Sequence, residues 1–294
     1  MAAPLISRRT RWLPFAFLHL GALSAFFVGC SWTAVSVAIG LYWLRMFAIT
    51  AFYHRYFSHR TYKTSRPAQF VFALLGLMAV QRGPLWWAAH HRVHHRLADL
   101  EGDAHSPVVS GFLWSHIGWI TADRNMPTNY LNVRDLARYP ELIILNRFDW
   151  LMPFLLGLSL YLSGCALDVY CPAAHTTGNQ MLAWGFFLSS CVLFHCVSSI
   201  NSVAHVWGKP RYPTRDASKN NFLLALVTLG EGWHNNHHFA MNSVRQGFYW
   251  WEIDVCFYIL KLMSWLGIIW DLRPVPVEAY DPERQLKRPE RQLK

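Results

Sequence analysis

The stretch His54-Arg-Tyr-Phe-Ser-His59 follows directly on an apolar run over residues 34–53. A run of that length matches the roughly 20 residues that a helix needs to cross the hydrocarbon core of a bilayer. The helix therefore ends by delivering two histidines to one membrane face. Two later clusters repeat the theme, His91-Arg-Val-His94-His95 and His234-Asn-Asn-His237-His238, and a single His205 follows the run Asn201-Ser-Val-Ala. Imidazole is the commonest protein ligand for transition metals, and this density of histidine exceeds what packing requires. The pattern points to a metal enzyme with two metals.

Spacing supports that reading. Positions i, i+3 and i+4 fall within about a 100° arc of a helix and can aim at one point. His91, His94 and His95 fit this template, as do His234, His237 and His238. His54 and His59 do not, because residues five apart on an ideal α-helix diverge by roughly 140°. They need either a helix end or two separate metals.

Of the 294 residues, 53% are hydrophobic and 16% aromatic, with only 15% charged. That is too apolar and too rich in tryptophan for an ordinary soluble domain. Four stretches are candidate membrane spans, at about residues 12–30, 34–53, 150–167 and 181–200. The first reads as a mature helix rather than a signal peptide, since its apolar run is long and no convincing cleavage site follows. The expected architecture is a single all-α integral membrane domain over 1–294, with four transmembrane helices and a helical cap formed by 54–149 and 201–276. The tail, 277–294, carries a short duplication, Glu283-Arg-Gln-Leu-Lys287 and Glu290-Arg-Gln-Leu-Lys294, and reads as a solvated, poorly ordered end.

Basic residues set the expected orientation. Three arginines precede the first span, eleven Lys or Arg lie between Arg55 and Arg147, and twelve follow Ile200; only Arg45 lies elsewhere. The two turns on the other side, around 31–33 and 168–180, have none. The positive-inside rule then puts both termini, the cap and every histidine cluster on the cytoplasmic side. The net charge of +10 is accounted for by this topology and by attraction to anionic headgroups, with no recognisable nucleic-acid module.

Other features carry less. The six cysteines show no CxxC spacing; compartment alone would allow a bridge between Cys165 and Cys171. The run 70–80 is too short to cross a bilayer and reads as a buried or interfacial helix, and 246–270 as an amphipathic helix at the membrane surface rather than a fifth span. His90 sits beside the second cluster in a structural or supporting role. His19 and His175 read as non-ligands, and His105, His116 and His195 as packing and hydrogen-bonding residues. Arg45, inside a span, is either functional or snorkels to the cytoplasmic interface.

The ordered set resembles the membrane fatty acyl desaturases, closest to the acyl-CoA Δ9 branch and its bacterial members. It comprises His54-Arg-Tyr-Phe-Ser-His59, His91-Arg-Val-His94-His95, Gly111-Phe-Leu-Trp-Ser-His-Ile-Gly-Trp119, Asn201-Ser-Val-Ala-His205 and Gly230-Glu-Gly-Trp-His-Asn-Asn-His-His238. The resemblance covers roughly residues 45–274. It implies two Fe ions held by His54, His59, His91, His94, His95, His205, His234, His237 and His238, with Asn201 reaching one through water. It also implies a bent acyl tunnel beside the irons, for which Trp87 and Gln81 are the candidates. The implied reaction is O2-dependent insertion of a cis double bond, Δ9, into a saturated acyl-CoA. Electrons would come from a separate ferredoxin, rubredoxin or cytochrome type donor with its reductase, at a bacterial inner membrane.

The chemistry agrees. Taking two hydrogens from an unactivated chain is beyond any side-chain acid or base, so a redox metal is needed and zinc would not serve. Acidic residues are sparse near the clusters, and Asp99, Glu101, Asp103 and Glu231 are expected to orient imidazoles. Two departures leave every expected ligand in place: Val197-Ser198-Ser199 precedes Asn201, and Phe239-Ala-Met follows the last cluster. A lipid or alkane hydroxylase of the same histidine class is the alternative. A metal transporter would need polar residues along its spans, which are almost wholly apolar.

Overall fold

Ser31 starts the helix that positions the first cluster, its hydroxyl accepting from the Ala34 amide at 3.1 Å. Such a cap satisfies one of the amides that a helix start leaves open. In the computed structural model, which describes residues 12–286, the chain is mostly helical. Label Leu13–Leu23 α1, Trp32–Ser58 α2, Arg66–Leu77 α3, Pro84–Leu97 α4, Leu151–Tyr170 α5, Gly178–Val206 α6, His234–Phe239 α7 and Val255–Trp265 α8. The one sheet among the described residues pairs Lys63–Thr64 with Ile269–Trp270, antiparallel, fastening the chain after α2 to the chain after α8.

Among the described residues, three helices are long and apolar enough to cross a membrane: α2, α5 and α6. The expectation of four spans is corrected at the first. The helix over 12–30 is only the 11 residues of α1, followed by a 3-10 turn over Ser24–Phe26. At about 1.5 Å per residue α1 covers only about half of a hydrocarbon core roughly 30 Å thick. Pro14 stands in its first turn, and Gly29 at φ 75° turns the chain before Ser31 begins α2. The other three spans are longer than expected, and two of them carry the site: α2 continues into the first histidine cluster and α6 through Asn201 and His205.

Helices α2 and α6 run parallel. Their starts meet at the end away from the histidines, where the Ser31 hydroxyl donates to Thr176 Oγ1 at 2.9 Å and Trp184 Nε1 to the Gly29 carbonyl at 2.9 Å. A capping box between Thr177 and Gln180 fixes the start of α6. Midway, Arg45 joins the two helices: Nη1 donates to Ser190 Oγ at 2.6 Å and Nη2 to Ser189 Oγ at 2.5 Å. Its side chain is fully buried, which rules out the snorkelling reading. Helix α5 packs on α6 through small residues; a Cβ on Gly164 would stand 2.6 Å from the Thr177 carbonyl oxygen.

The main core surrounds the second half of α2. Phe52 stacks on Phe72 of α3 at 3.9 Å between centroids, and Ile49, Tyr53, Tyr56 and Phe57 are buried with it. The short α3 matches its expected length, whereas the helix expected over 246–270 is confined to the 11 residues of α8, whose Trp265 stays exposed. The tail departs from expectation. Ala279 is buried, Tyr212 donates to its carbonyl at 2.8 Å, and the Leu286 amide donates to the Arg211 carbonyl at 2.7 Å. Residues 277–286 thus pack on the cap; the rest of the duplication lies outside the described residues. Cys165 and Cys171 are both free.

Candidate metal centre

Residues 48–58 of α2 form a π-helix, and this resolves the spacing of the first cluster. A π turn bonds i to i+5, and the His59 amide donates to the His54 carbonyl at 3.2 Å. Residues five apart then lie nearly one above the other. Both imidazoles face one point, so His54 and His59 belong to a single group. Helix α4 is opened by Gly83 and Pro84, a start suited to proline's missing amide and fixed φ. It brings His91 and His95 to the same point, and α7 adds His237.

The ring nitrogens of His54, His59, His91, His95 and His237 all lie within 4.8 Å of one another, and those of His94, His205, His234 and His238 form a second such group. All nine expected ligands are therefore brought together, five and four. Within the first group, Nε2 of His59 is 2.8 Å from that of His91, and Nε2 of His237 is 3.0 Å from those of His54 and His95. In the second, Nε2 of His205 is 3.1 Å from Nε2 of His234. Neighbouring nitrogens bound to one metal at about 2.1 Å stand about 3.0 Å apart at right angles and about 3.4 Å apart in a tetrahedron. The observed contacts fit a metal with more than four positions. Among the described residues, the buried Nε2 atoms of His94 and His238 have no hydrogen-bond partner, as lone pairs kept for a metal would not.

Carboxylates fix which nitrogen faces inward. Nδ1 of His94 donates to Asp103 at 2.9 Å, Nδ1 of His205 to Asp99 at 2.9 Å, and Nδ1 of His238 to Asp216 at 2.9 Å. Glu231 lies 2.5 Å from Nδ1 of His54 and 3.1 Å from Nη2 of Arg55, which also reaches Asp254 at 2.9 Å. Such partners hold the tautomer and raise ligand basicity. Of the four expected orienting carboxylates, Asp99, Asp103 and Glu231 make these contacts and exposed Glu101 does not. Asp216 and Gln246 are additions, the latter donating to Glu231 at 3.0 Å.

The electrostatics keep the imidazoles ready to bind. Burial pushes the pKa values of His59, His91, His95, His234 and His237 well below the ordinary value, reinforced by neighbouring imidazoles. Burial likewise takes His238 down to about 4, against the opposing pull of Asp216. At neutral pH the rings are therefore neutral donors. Burial alone would raise Asp99, but its bonds from His205 and Ser106 bring it down to about 2; Asp103 and Asp216 are likewise held below the carboxylate range, by His94 and His238.

Beside both groups lies a cavity of about 680 Å³, including its mouth. His54, His91 and His234 form part of its wall, with Ile49, Thr50, Val197 and Ser198 opposite in sequence but adjacent in space. Gln81, Trp87 and Asn201 all line it. Trp87 stacks on His91 at 4.8 Å, so an apolar wall stands directly against the clustered imidazoles. His90 also lines the cavity, with Nδ1 bonded to the Trp86 carbonyl, and His105 stacks on His94 at 4.4 Å. Neither joins the two groups of nine.

A profile of the fatty acid desaturase family matches residues 30–263. The chain belongs to that family. A chloroplastic palmitoyl-monogalactosyldiacylglycerol delta-7 desaturase of Arabidopsis thaliana is 36% identical over 89% of this chain and 67% of its own length. An acyl-CoA 5-desaturase of Anemone leveillei is 35% identical over 92% and 80%. An sn-1 stearoyl-lipid 9-desaturase of Anabaena variabilis is 35% identical over 86% and 89%. Desaturation of a lipid acyl chain, an oxidoreductase reaction, is thereby supported for this desaturase, and its histidine groups are compatible with a metal site.

Proposed function

We propose that this desaturase is an O2-dependent diiron enzyme that introduces a cis double bond, Δ9, into a saturated acyl-CoA chain during unsaturated fatty acid biosynthesis. The observation that carries the reading is the convergence of nine histidines into groups of five and four against one apolar-walled cavity. His54, His59, His91, His95 and His237 hold one iron; His94, His205, His234 and His238 hold the other, with Asn201 reaching it through water. When bound, the irons supply the reduction of O2 that yields an oxidant able to take hydrogen from a methylene group.

The protein's own residues do the rest. Asp99, Asp103, Asp216 and Glu231 hold four rings in their donor tautomer. Trp87 and Gln81, with Ile49 and Val197, seat the acyl chain so that one pair of methylenes faces the histidine wall, and bulk water is kept from the reacting carbons. The relatives' names include delta-7, 5- and 9-desaturases on both lipid and acyl-CoA carriers, so position follows from how far a chain enters the cavity. Electrons arrive from a separate ferredoxin, rubredoxin or cytochrome type donor. The enzyme is a multi-pass membrane protein with its histidine face and the segment after α6 cytoplasmic, a reading that the basic residues there support.

Expression in a host lacking its own desaturase, followed by mass spectrometry that locates the double bond, tests the proposal. Cis-Δ9 monounsaturated chains are expected; a hydroxylated product would point to the hydroxylase alternative. His94→Ala and His237→Ala should abolish the product while the protein remains in the membrane. Unchanged product from both defeats the diiron assignment.

A further inference from the structure

A second constellation of histidines lies apart from the nine. His19 on α1 and His195 on α6 face each other with Nε2 atoms 3.1 Å apart. Cys191, one turn before His195, completes a group whose donor atoms all lie within 4.8 Å of one another. The other ring nitrogens are committed. Nδ1 of His19 meets the Phe15 carbonyl at 2.8 Å. Nδ1 of His195 meets Nε2 of His116 at 3.0 Å, Nδ1 of His116 meets Ser202 Oγ at 2.8 Å, and that hydroxyl meets the Ser198 carbonyl at 3.0 Å.

With all three rings neutral, the hydrogens do not suffice for this chain. Five contacts run from one carbonyl to the other, and each needs one hydrogen. Three neutral imidazoles carry one each and the serine a fourth, so one contact is left without. Two facing lone pairs 3.1 Å apart repel unless a positive partner sits with them. The only contact of the five with an additional donor beside it is that between His19 and His195, where Cys191 stands. A cation bound there removes the surplus contact. The remaining four then take the four hydrogens, each ring donating through Nδ1, as metal-bound imidazoles do towards a carbonyl or other acceptor.

We propose that His19, Cys191 and His195 form a third metal site, distinct from the histidine groups of the desaturase centre, that takes a borderline-soft divalent ion such as Zn2+. Imidazole and thiolate are both donors that zinc takes, and three protein ligands leave a fourth position open. Binding is an exchange without redox change: the Cys191 thiol loses its proton to solvent and its sulfur bonds the ion. The rings of Phe15 and Phe194 pack on His19 at 4.0 and 6.1 Å, and Phe112 stacks on His116 at 5.7 Å, shielding the site. Its role is to fasten α1, too short to span on its own, to the helix that carries Asn201 and His205.

The test uses the full chain purified in detergent with its iron in place. Zn2+ should protect Cys191 from alkylation by a maleimide, as mapped by peptide mass spectrometry. Co2+ should give a thiolate charge-transfer absorption in the near ultraviolet. That band reports this site because no cysteine belongs to either group of the desaturase centre. Cys191→Ser and His19→Gln should each remove the band and one zinc per chain while the iron content stays constant. Equal alkylation with and without Zn2+ overturns the proposal and leaves a string of hydrogen bonds closed by a proton on one of the rings; so does a cobalt band that survives Cys191→Ser. The alkylation experiment needs no variant, so a variant that fails to fold does not leave the question open.

Discussion

The carboxylate of Asp216 accepts from Nδ1 of His238 at 2.9 Å, across 22 residues of chain. The loop that carries it is held by the bond from the Ser218 amide to Asp216 at 2.9 Å and by Asn235 Nδ2, which donates to Thr214 Oγ1 at 3.2 Å. Asp216 therefore fixes the inward-facing nitrogen of a ring in the four-histidine group from outside every histidine cluster.

Asp216→Asn keeps the shape and loses the charge, so His238 becomes free to adopt the wrong tautomer. Loss of such an outer partner typically costs about 10–100-fold in metal affinity or activity. Product formation in the desaturase-free host should fall by that factor, with a parallel fall in metal content measured by mass spectrometry. Unchanged metal content and product would mean that His238 needs no fixed tautomer.

Glu231→Gln should be worse, and for a second reason. Glu231 orients His54 and also neutralises Arg55, whose side chain is 1% exposed. Removing one partner of a buried ion pair typically costs about 3–5 kcal/mol, because the other charge stays behind. Asp254 remains to share Arg55, which places the expectation near the lower figure. Thermal unfolding in detergent should show a clear drop for Glu231→Gln and little change for Asp216→Asn; equal midpoints would contradict the assigned role of Arg55.

Much of this site was legible because helix periodicity is local. The i, i+3, i+4 spacing within 91–95 and 234–238 needed no tertiary knowledge, and the lining residues Trp87 and Gln81 followed from the resemblance. His54 and His59 remained ambiguous because an i, i+5 pair converges only in a π-helix, and whether 11 buried residues adopt that winding depends on packing against α3 and α4. Asp216 and Gln246 had no spacing signal at all, since each reaches its partner through a loop. The first span was overread for a related reason: hydropathy counts apolar residues, but Pro14 and Gly29 set where the α1 region can be helical.

Ser198 lines the cavity one turn before Ser202. Ser198→Phe should fill part of the cavity without touching a histidine. Conversion of 18-carbon chains should fall at least several-fold more than conversion of 14-carbon chains, read from product profiles of cultures fed each acid. An unaltered profile would place the acyl chain elsewhere.

The pH dependence has a definite sign. His238 titrates near 4 in the fold against an ordinary 6.5, chiefly through burial, and five further ligand-group histidines are displaced the same way. Between those values the unfolded chain binds more protons than the folded one, so acidification favours unfolding. The stabilising difference is complete above about pH 6.5 and is lost as the pH falls through about 4. Protein depleted of metal with a chelator should therefore show a flat unfolding midpoint from pH 8 to 6.5 and a steep decline below it. Bound metal should move the decline to lower pH, because protons must then displace the ion from the same nitrogens. A midpoint insensitive to acid in the metal-free protein would show that these rings are not buried neutral as the geometry requires.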